Sequence, residues 1–297
     1  MKKSVLERID ERVFLLDGAM GTLIMSAGIG DEAPESWNLT RPETISGFHK
    51  QYFEAGADAV LTNTFGANRI KLSGKGLEKK VFEINLQAVK NAKSVCPEEK
   101  YVAGDIGPTG KFLKPVGEYS ENEFIEVFEE QADALLKGGV DFFIIETMFD
   151  KREALCALKA IRKITQDIPV FTSMTFNKGP KGFRTVMGDN IETSFKSFED
   201  EGTSVVGSNC SLGSKDFIPL VREMRKYTKL PLLAEANAGQ PVFEHGKTVY
   251  KQSPEEYSKD IPEIISSGAK IVGGCCGTTP EFIKKIYETV FQNNQKK

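Results

Sequence analysis

The sequence is poor in histidine, tryptophan and long apolar runs, and these shortages exclude several classes of protein. Its 297 residues include two histidines and one tryptophan. No apolar run approaches the roughly 20 residues that span a bilayer, so no membrane segment is expected. The 39 basic and 42 acidic residues nearly cancel, and no basic stripe predicts nucleic-acid binding. Residues 1–10 are charged and lack an apolar signal core, which favours a cytoplasmic protein.

Cysteine is also scarce and odd in number. Five cysteines in a chain of this length do not form a disulfide framework. We therefore interpret them as reduced thiols, metal ligands or core residues.

Eight short apolar runs alternate with longer amphipathic stretches along the whole chain. The runs are Val13–Ala19, Ala59–Phe65, Tyr101–Gly107, Phe142–Thr147, Val170–Phe176, Ser204–Cys210, Pro231–Ala238 and Lys270–Cys276. Helical patterns between them include Pro42–Ala55, Leu77–Val95, Glu121–Lys137, Lys151–Thr165 and Ser214–Tyr227. The runs are rich in β-branched and aromatic residues, which is typical of buried parallel strands.

About eight strand–helix units in this order predict an α/β fold, a (β/α)8 TIM barrel. The rival is an open doubly wound sheet, but its Gly-x-Gly-x-x-Gly fingerprint is missing after the first run. No linker interrupts the pattern, so residues 1–297 are expected to form one domain. A leading helix is expected to include Met1–Leu6.

Polar residues of the kinds that bind ligands cluster where the apolar runs end. They are Asp17-Gly18, Thr62-Asn63-Thr64, Asp105, Glu146-Thr147, Asn209-Cys210, Glu235, Asn237 and Cys275-Cys276. In a (β/α)8 barrel the chemistry takes place at the carboxyl ends of the strands. One mouth is therefore expected to collect carboxylates, amides, threonines and three thiols.

The stretch Gly273-Gly274-Cys275-Cys276-Gly277-Thr278-Thr279-Pro280 carries the sharpest signal. Neighbouring side chains in a regular strand point to opposite faces, so adjacent sulfurs would not share a partner. We expect the flanking glycines to permit backbone angles that turn both sulfurs to one point. Soft thiolates select zinc, and Cys210 offers a third sulfur. The sequence therefore predicts a zinc site of Cys210, Cys275 and Cys276 with one open position.

Other interpretations of the cysteines stay open. Cys275 and Cys276 could be core residues, since free cysteine is often buried. A redox pair is disfavoured, because adjacent cysteines close a strained ring. Cys96 and Cys156 lie in helical patterns, and both are interpreted as structural.

The two histidines are not expected to complete the metal site. His49 lies in a helical pattern, where a surface or hydrogen-bonded helix residue is the favoured interpretation. His245 follows the seventh run in a polar loop, where a surface role is favoured. The fourth metal position is thus expected to hold a weak ligand that substrate can replace.

Three anionic thiolates with an open position favour one kind of chemistry. An alkyl thiol has a pKa of about 8.5, and binding to zinc removes its proton. Thiolate ligands keep the bound sulfur electron-rich, whereas neutral histidines suit the activation of water. The sequence therefore predicts alkylation of a thiol substrate.

An amino-acid thiol also needs partners for its charged groups. Asp17 and Glu146 are candidates for its ammonium, with helix capping or a rim salt bridge as the alternative role. Exposed backbone amides around Gly18 and Ser208 could bind its carboxylate.

The chain resembles the homocysteine S-methyltransferase family, and most of all the homocysteine-binding zinc module of cobalamin-dependent methionine synthases. The matching motifs are Leu16–Thr22, Leu61–Asn68, Gly104–Gly110, Glu146-Thr147, Met174–Phe176, Asn209–Gly213, Glu235–Gly239 and Gly273–Pro280. They follow the family's order over almost the entire chain.

The resemblance implies a barrel enzyme that holds zinc on Cys210, Cys275 and Cys276 and methylates homocysteine to methionine. It implies that Asp17 and Glu146 contact the substrate amino group, with Thr62 or Asn63 nearby. Asn209, beside Cys210, is counted with these substrate-binding residues. Asn237 matches an asparagine that can hold the zinc before substrate binds.

Two departures from the family pattern limit this expectation. Ala236 stands where a proline is expected, and no Asp-x-His-x-x-Gly corrinoid-ligand motif exists in the chain. The expected donor is therefore methylcobalamin presented by a separate corrinoid protein or module. The alternatives are S-methylmethionine, another sulfonium or betaine as donor, or another thiol as acceptor. A further alternative is a non-catalytic subunit that binds zinc and thiol within a corrinoid system.

Overall fold

Eight parallel strands form a barrel in the computed structural model, which describes residues 2–244 and 247–292. The strands are β1 (Phe14–Leu15), β2 (Ala59–Leu61), β3 (Tyr101–Ile106), β4 (Phe142–Met148), β5 (Val170–Met174), β6 (Val205–Gly213), β7 (Leu232–Asn237) and β8 (Ala269–Gly274). They pair in the order β1, β8, β7, β6, β5, β4, β3, β2, and all seven pairings are parallel. The predicted (β/α)8 barrel is confirmed.

Helices separate consecutive strands and surround the barrel. They are α1 (Val5–Glu11), α2 (Met20–Ser26), α3 (Trp37–Thr40), α4 (Pro42–Glu54), α5 (Arg69–Ser73), α6 (Val81–Lys93), α7 (Glu121–Gly138), α8 (Lys151–Ile164), α9 (Ile191–Asp200), α10 (Ser214–Met224), α11 (Pro254–Ser266) and α12 (Pro280–Tyr287). Short 3₁₀ turns at Pro34–Ser36 and Glu78–Lys80 and a π-helical turn at Glu288–Gln292 complete them.

The core has two layers, because successive strand residues face opposite sides of the sheet. In β4, Phe142 and Ile144 join the cluster inside the barrel, whereas Phe143 and Ile145 pack with the helices. Inside, the rings of Phe142 and Phe171 lie 4.4 Å apart. Burying each such side chain contributes about 1.5–3 kcal/mol. The strands are therefore apolar on both faces until their carboxyl ends, where polar residues take over.

Helix α1 closes the amino-terminal end of the barrel. Its Val5 and Ile9 are buried against Phe14 and Tyr101, the first residues of β1 and β3. The expectation that the leading helix includes Met1–Leu6 is wrong for residues 2–4, since the helix begins at Val5; Met1 lies outside the described residues. Ser4 is the N-cap of this helix. Ser4 and Glu7 form a capping box, in which each side chain accepts from the backbone amide of the other residue.

Side chains join β1 to β2, where the structure has no strand ladder in the described chain. At the bottom of this seam the Leu15 amide donates to Asp58 Oδ2 at 3.0 Å, and the Asp58 amide donates to the Leu15 carbonyl. At the top the Leu61 amide donates to Asp17 Oδ2 at 3.0 Å. Two aspartates thus replace backbone pairing and complete the barrel.

Short β-hairpins extend two of the loops at the mouth. One follows β5 and pairs Asn177–Gly179 with Gly182–Arg184, and the other follows β7 and pairs Val242–Glu244 with Lys247–Val249. The predicted loop position of His245 lies outside the described residues. All βα loops reach the carboxyl ends of the strands, so the polar strand ends and these hairpins share one face.

Candidate metal centre and substrate pocket

Three cysteine sulfurs converge at the mouth of the barrel. The Sγ atoms of Cys210, Cys275 and Cys276 all lie within 4.8 Å of one another, and the Cys210–Cys276 distance is 3.9 Å. The residues come from the end of β6 and from the turn after β8, 275 − 210 = 65 positions apart in the sequence. The structure therefore brings together the three sulfurs that the sequence singled out.

Left-handed backbone at the end of β6 aims the first of these sulfurs. Cys210 and Ser211 have φ angles of 65° and 62°, in a backbone region that residues other than glycine rarely adopt. Thr147, at the end of β4, shares this conformation with a φ of 57°. Such conformations cost about 1–3 kcal/mol each and persist only where the surroundings impose them. Strain is thus concentrated beside the sulfur cluster.

The glycines around Cys275 and Cys276 act mainly by leaving room. A Cβ on Gly273 would lie 2.9 Å from Glu235 Oε1, and one on Gly274 would lie 2.4 Å from Thr278 Oγ1. Neither glycine has a positive φ, so the expectation of unusual backbone angles is wrong for these two. It holds for Gly277, whose φ is 83°.

The sulfur geometry fits a zinc ion. Tetrahedral Zn–S bonds of about 2.3 Å imply sulfur–sulfur distances of about 3.8 Å, close to the observed 3.9 Å. Thiol donors from Cys210 and Cys275 lower the pKa of Cys276 to about 3, so the cluster already favours one thiolate. Three soft sulfurs with this spacing form a set of ligands that binds zinc in preference to magnesium or calcium.

Asn237 and Tyr250 border the sulfur cluster. Asn237 lies between two residues whose backbones bind the cysteine turn: the Cys275 amide donates to the Ala236 carbonyl, and the Ala238 amide donates to the Cys276 carbonyl. Its buried Oδ1 has no hydrogen-bond partner in the described chain. The Tyr250 hydroxyl interacts with Cys276; burial and then the Cys276 charge raise the pKa of this tyrosine. Asn237 therefore has an unpartnered buried oxygen on the strand segment that binds the cysteine turn.

Asn209 organises the substrate side of the mouth. Its Nδ2 donates to Glu146 Oε2 at 2.6 Å and to Thr147 Oγ1 at 2.7 Å. Its Oδ1 accepts from the Thr147 amide and from Ser173 Oγ, both at 2.8 Å. Nδ2 also lies 3.8 Å from Cys275 Sγ. One fully buried amide therefore connects the carboxyl of Glu146 to the sulfur cluster.

Four carboxyl groups face one another inside the mouth: Asp17, Asp105, Glu146 and Glu235. Burial, and then the charge of Cys276, raise the pKa of Glu146 to about 7. Burial followed by the charge of Glu146 raises the pKa values of Asp105 and Glu235 well above the ordinary range. For Asp17, burial raises the pKa by more than the hydrogen bond from the Leu61 amide lowers it, so the pKa of this group also rises. Four carboxyl groups thus lie close together in a buried pocket that favours their protonated forms, and a bound cation would favour ionisation instead.

Other predicted substrate residues have structural partners. Thr62 Oγ1 lies 2.7 Å from Thr64 Oγ1 and accepts from the Asp105 amide. The Asn63 amide donates to the Pro34 carbonyl at 2.8 Å. Both side chains thus support the loop after β2.

Gly18 and Ser208 also lie near the mouth. Gly18 packs closely against Thr278, because a Cβ atom on this glycine would lie 2.8 Å from Thr278 Oγ1. Ser208 pairs with Met174 and Ala234 within the sheet, and its buried Oγ has no hydrogen-bond partner in the described residues.

Residues that the sequence set aside lie away from the cluster. Cys156 is buried in α8, whereas Cys96 follows the end of α6 and is not helical, contrary to expectation. His49 is fully buried in α4, and neither ring nitrogen has a partner in the described chain. The interpretation as a surface or hydrogen-bonded histidine is therefore wrong. Burial lowers the pKa of His49 to about 3 and keeps the ring neutral.

Asp105 and Glu235 were expected at the mouth without a specific role, and Tyr250 was not singled out. The two acids had a visible signal, since each is a charged residue at the end of an apolar run. Tyr250 had none, because its approach to Cys276 depends on the path of the chain after the β7 hairpin.

Exposed apolar side chains surround the mouth. They are Met25, Phe112, Val116, Val186, Met187, Val242 and Phe243, with exposed fractions between 36% and 76%. Met25 lies in α2, which follows β1, and the other six lie in the segments that follow β3, β5 and β7, at the mouth face. Of the described residues, only two other large apolar side chains, Phe82 and Tyr227, are comparably exposed. We call these seven residues the apolar rim.

Comparisons with known proteins identify relatives of the chain. Residues 14–290 match the model of a family described as homocysteine S-methyltransferase. The methionine synthase of Mycobacterium leprae is 30% identical over 308 aligned positions, which cover 98% of this chain. The methionine synthase of Mycobacterium tuberculosis is 30% identical and covers 96% of the chain. The match spans 25% of the length of either methionine synthase.

Solved structures share the fold. The metallated form of the homocysteine methyltransferase MmuM from Escherichia coli superposes with a TM-score of 0.80, at 21% identity. That match covers 94% of this chain and 97% of the other. The oxidized form of the same protein gives a TM-score of 0.78 at 22% identity.

No helix of the described residues is long and apolar enough to cross a membrane.

Proposed function

The chain belongs to the homocysteine S-methyltransferase family, and we propose that it transfers a methyl group to the sulfur of homocysteine to give methionine. The observation that carries this proposal is the convergence of three cysteine sulfurs beside a buried acidic pocket. A thiol substrate binds to the first feature, and the ammonium of an amino acid binds to the second.

Cys210, Cys275 and Cys276 would hold zinc, and Asn237 Oδ1 would fill the fourth position until substrate arrives. Support comes from the sulfur spacing, the unpartnered Asn237 oxygen and the metallated form of MmuM. When bound, zinc lowers the pKa of a thiol ligand and so provides the sulfur as a thiolate at neutral pH. Free thiols of this kind fit a reducing compartment, and we place the protein in the cytoplasm.

The remaining mouth residues orient the substrate. Asn209 donates a 2.6 Å hydrogen bond to Glu146, which fixes the orientation of this carboxylate toward the substrate ammonium. Asp17 adds a second negative group, while its bond to the Leu61 amide keeps it in place. Backbone amides around Gly18 and Ser208 bind the substrate carboxylate, and Thr62 and Asn63 support this pocket from the β2 loop. The substrate sulfur is thereby directed toward the cysteines.

The methyl donor is proposed to be methylcobalamin carried by a partner protein or module. The apolar rim supports this assignment, because exposed apolar side chains that encircle a site are typical of protein docking surfaces. The relatives that match this chain over one quarter of their length are methionine synthases, in which other parts of the chain are available as partners.

A small cationic donor is the second candidate. The specific observation in its favour is the acidity of the mouth, since four carboxyl groups would attract a sulfonium or betaine. The two donors are separated by incubating the zinc-loaded protein with homocysteine and either methylcobalamin or S-methylmethionine, and measuring methionine. Binding of zinc and homocysteine without methionine from any donor would instead favour the non-catalytic subunit.

Cys210→Ala tests the metal assignment. We expect this variant to lose most of its zinc and its activity, while circular dichroism and the urea midpoint stay close to wild type, because the site lies at a rim and not in the core. Cys156→Ala is the matched control, since this buried cysteine lies in α8 away from the mouth. Full zinc content in Cys210→Ala would refute the ligand set.

Glu146→Ala tests the substrate assignment separately. We expect weaker binding of homocysteine and normal zinc content, because Glu146 faces the substrate and not the metal. Unchanged affinity would remove Glu146 from the substrate site. Glu121→Ala is the control, because this carboxyl lies on the outer helix α7 in an exposed pair with Arg152.

A further inference from the structure

Asp105 and Glu235 form the floor of the mouth. They lie near the carboxyl ends of β3 and β7, which stand four strands apart in a ring of eight and so lie opposite each other. Their exposed fractions are 4% and 3%. Asp105 Oδ1 and Glu235 Oε2 have no hydrogen-bond partner among residues 2–244 and 247–292. Two carboxyl groups therefore point into the pocket with unused oxygens.

Among the described residues no cation forms an ion pair with this floor; Lys71 is a cation whose charge acts on Asp105 without such a contact. The ion pairs of the described chain involve none of the four mouth carboxyls. Asp105 forms a side-chain hydrogen bond with Glu146, which leaves Oδ1 as its unpartnered oxygen, and the charges of Glu146 and Asp17 act on both Asp105 and Glu235. A buried carboxylate oxygen without a donor is unfavourable, and an incoming group with several N–H donors would relieve it.

Glu235 lies directly next to the sulfur cluster. Its strand pairs on one side with β6, where it is opposite Asn209, and on the other with β8, where it is opposite Gly273. The missing side chain of Gly273 makes room for its carboxyl, since a Cβ there would lie 2.9 Å from Glu235 Oε1. The strands that flank Glu235 are thus those that carry the three cysteines. An amino thiol bound through its sulfur at the cysteines would therefore lie beside the strand that carries Glu235.

We propose that Asp105 and Glu235 are specificity-determining residues that bind the ammonium of an α-amino thiol through their unpartnered oxygens. This inference rests on the proposed function and extends it. The ammonium supplies three N–H donors, which Glu146 at the wall and the two floor carboxyls can accept, while Asp17, whose Oδ2 already accepts from the Leu61 amide, adds negative charge. A thiol that lacks the amino group leaves these buried oxygens unsatisfied, so the pocket rejects it.

Binding calorimetry with a matched pair of thiols tests the proposal. The ligands are L-homocysteine and 4-mercaptobutyrate, which is homocysteine without its amino group, and the protein is zinc-loaded. The wild type is expected to bind homocysteine at least about tenfold more tightly. Asp105→Asn and Glu235→Gln keep the side-chain shape but cannot ionise to a carboxylate when the ammonium binds. Each is expected to weaken homocysteine binding about tenfold or more and to change 4-mercaptobutyrate binding by less than about twofold.

Glu153→Gln is the matched control. Glu153 is also buried and has one unpartnered oxygen, but it binds Thr109 outside the mouth. This variant is expected to bind both thiols like the wild type, and zinc content is measured for every protein.

Two results would overturn the floor assignment while the proposed function stands. One is unchanged homocysteine affinity in Asp105→Asn and Glu235→Gln when Glu146→Ala weakens it. The other is an equal loss for both thiols, which would indicate a structural role. If the variants do not fold, the wild type still decides, because equal affinity for the two thiols contradicts ammonium recognition. A wild type that binds neither thiol would overturn the proposed function as well.

Discussion

Single buried carboxyl groups govern how this protein responds to pH. Glu153 is 1% exposed, and its Oε1 accepts from the amide and the hydroxyl of Thr109, both at 2.7 Å. Burial nevertheless dominates and raises its pKa from 4.5 to about 7. The folded state therefore holds this proton more tightly than the unfolded chain. The resulting stability is fully present below pH 4.5 and is lost as the pH rises through 7.

Glu153→Gln should remove this part of the pH dependence. Glutamine keeps an acceptor for Thr109 but cannot titrate. Relative to the wild type, the variant should gain about 2.5 kcal/mol between pH 5 and pH 8, as measured by urea unfolding at both values. The other buried acids titrate alike in both proteins and cancel in the comparison. An equal stability difference at the two pH values would contradict the assigned pKa.

Residue types alone indicated which side chains lie at the mouth, but not the hydrogen bonds between them. Cys210, Cys275 and Cys276 stood out because thiols at strand ends are rare and chemically specific. The hydrogen bonds that Asn209 makes to Glu146 and Thr147 were not predictable, since they depend on the left-handed turn at Thr147.

Close packing between neighbouring strands decides where side chains are tolerated. Gly207 in β6 lies opposite Leu233 in β7, and a Cβ on Gly207 would lie 2.3 Å from the Leu233 carbonyl oxygen. This oxygen belongs to the backbone of a central strand and cannot move without disturbing the sheet.

Gly207→Ala should therefore destabilise the protein by about 1–3 kcal/mol or more. Gly21→Ala is the matched control, because a Cβ on this glycine in α2 would meet no atom within 4 Å. Alanine favours helices, so the control should be neutral or up to about 1 kcal/mol more stable. Thermal and urea unfolding measure both. Equal effects of the two substitutions would show that backbone propensity, and not the strand contact, decides.

The strands were predictable element by element, whereas their ends were not. Apolar runs with β-branched residues marked all eight, and each observed strand overlaps its predicted run. β6 continues to Gly213, three residues beyond the predicted end at Cys210. Neither hairpin was predicted, because Asn177–Gly179 and Lys247–Val249 are polar and carry no strand periodicity. Their pairing comes from local hydrogen bonding at the mouth and not from a buried face.

Closure of the barrel depends on the seam between β1 and β2. Asp58 Oδ1 accepts from Arg12 at 2.7 Å and from Lys100 at 3.0 Å, while its Oδ2 accepts from the Leu15 amide. Burial alone would raise the pKa of Asp58, but Arg12 and Lys100 hold it below the usual range. Because the folded pKa is depressed, this stabilisation is present at neutral pH and is lost as the pH falls through the folded pKa.

Asp58→Asn should loosen the whole barrel at this seam. We expect a loss of about 2 kcal/mol at neutral pH, which allows for the partial exposure of the two cations. The Leu15 amide should exchange its hydrogen faster, and the wild type should approach the variant in stability under acid. Asp141→Asn is the control, since Asp141 also accepts from a strand amide, that of Val102, but at a seam that β3 and β4 already pair. Similar losses in both variants would contradict a special role for the seam.

The sequence by itself determined the order of eight strands and helices, the apolar core and the three cysteines, because hydrophobic periodicity and rare residue types are local properties. Only the tertiary structure decided which oxygens in the mouth lack partners, how Asp17 and Asp58 close the barrel, and that Cys210 needs a left-handed backbone. These features depend on distances between segments far apart in the chain. Such distances follow from packing and strand register, which no local pattern of residues specifies.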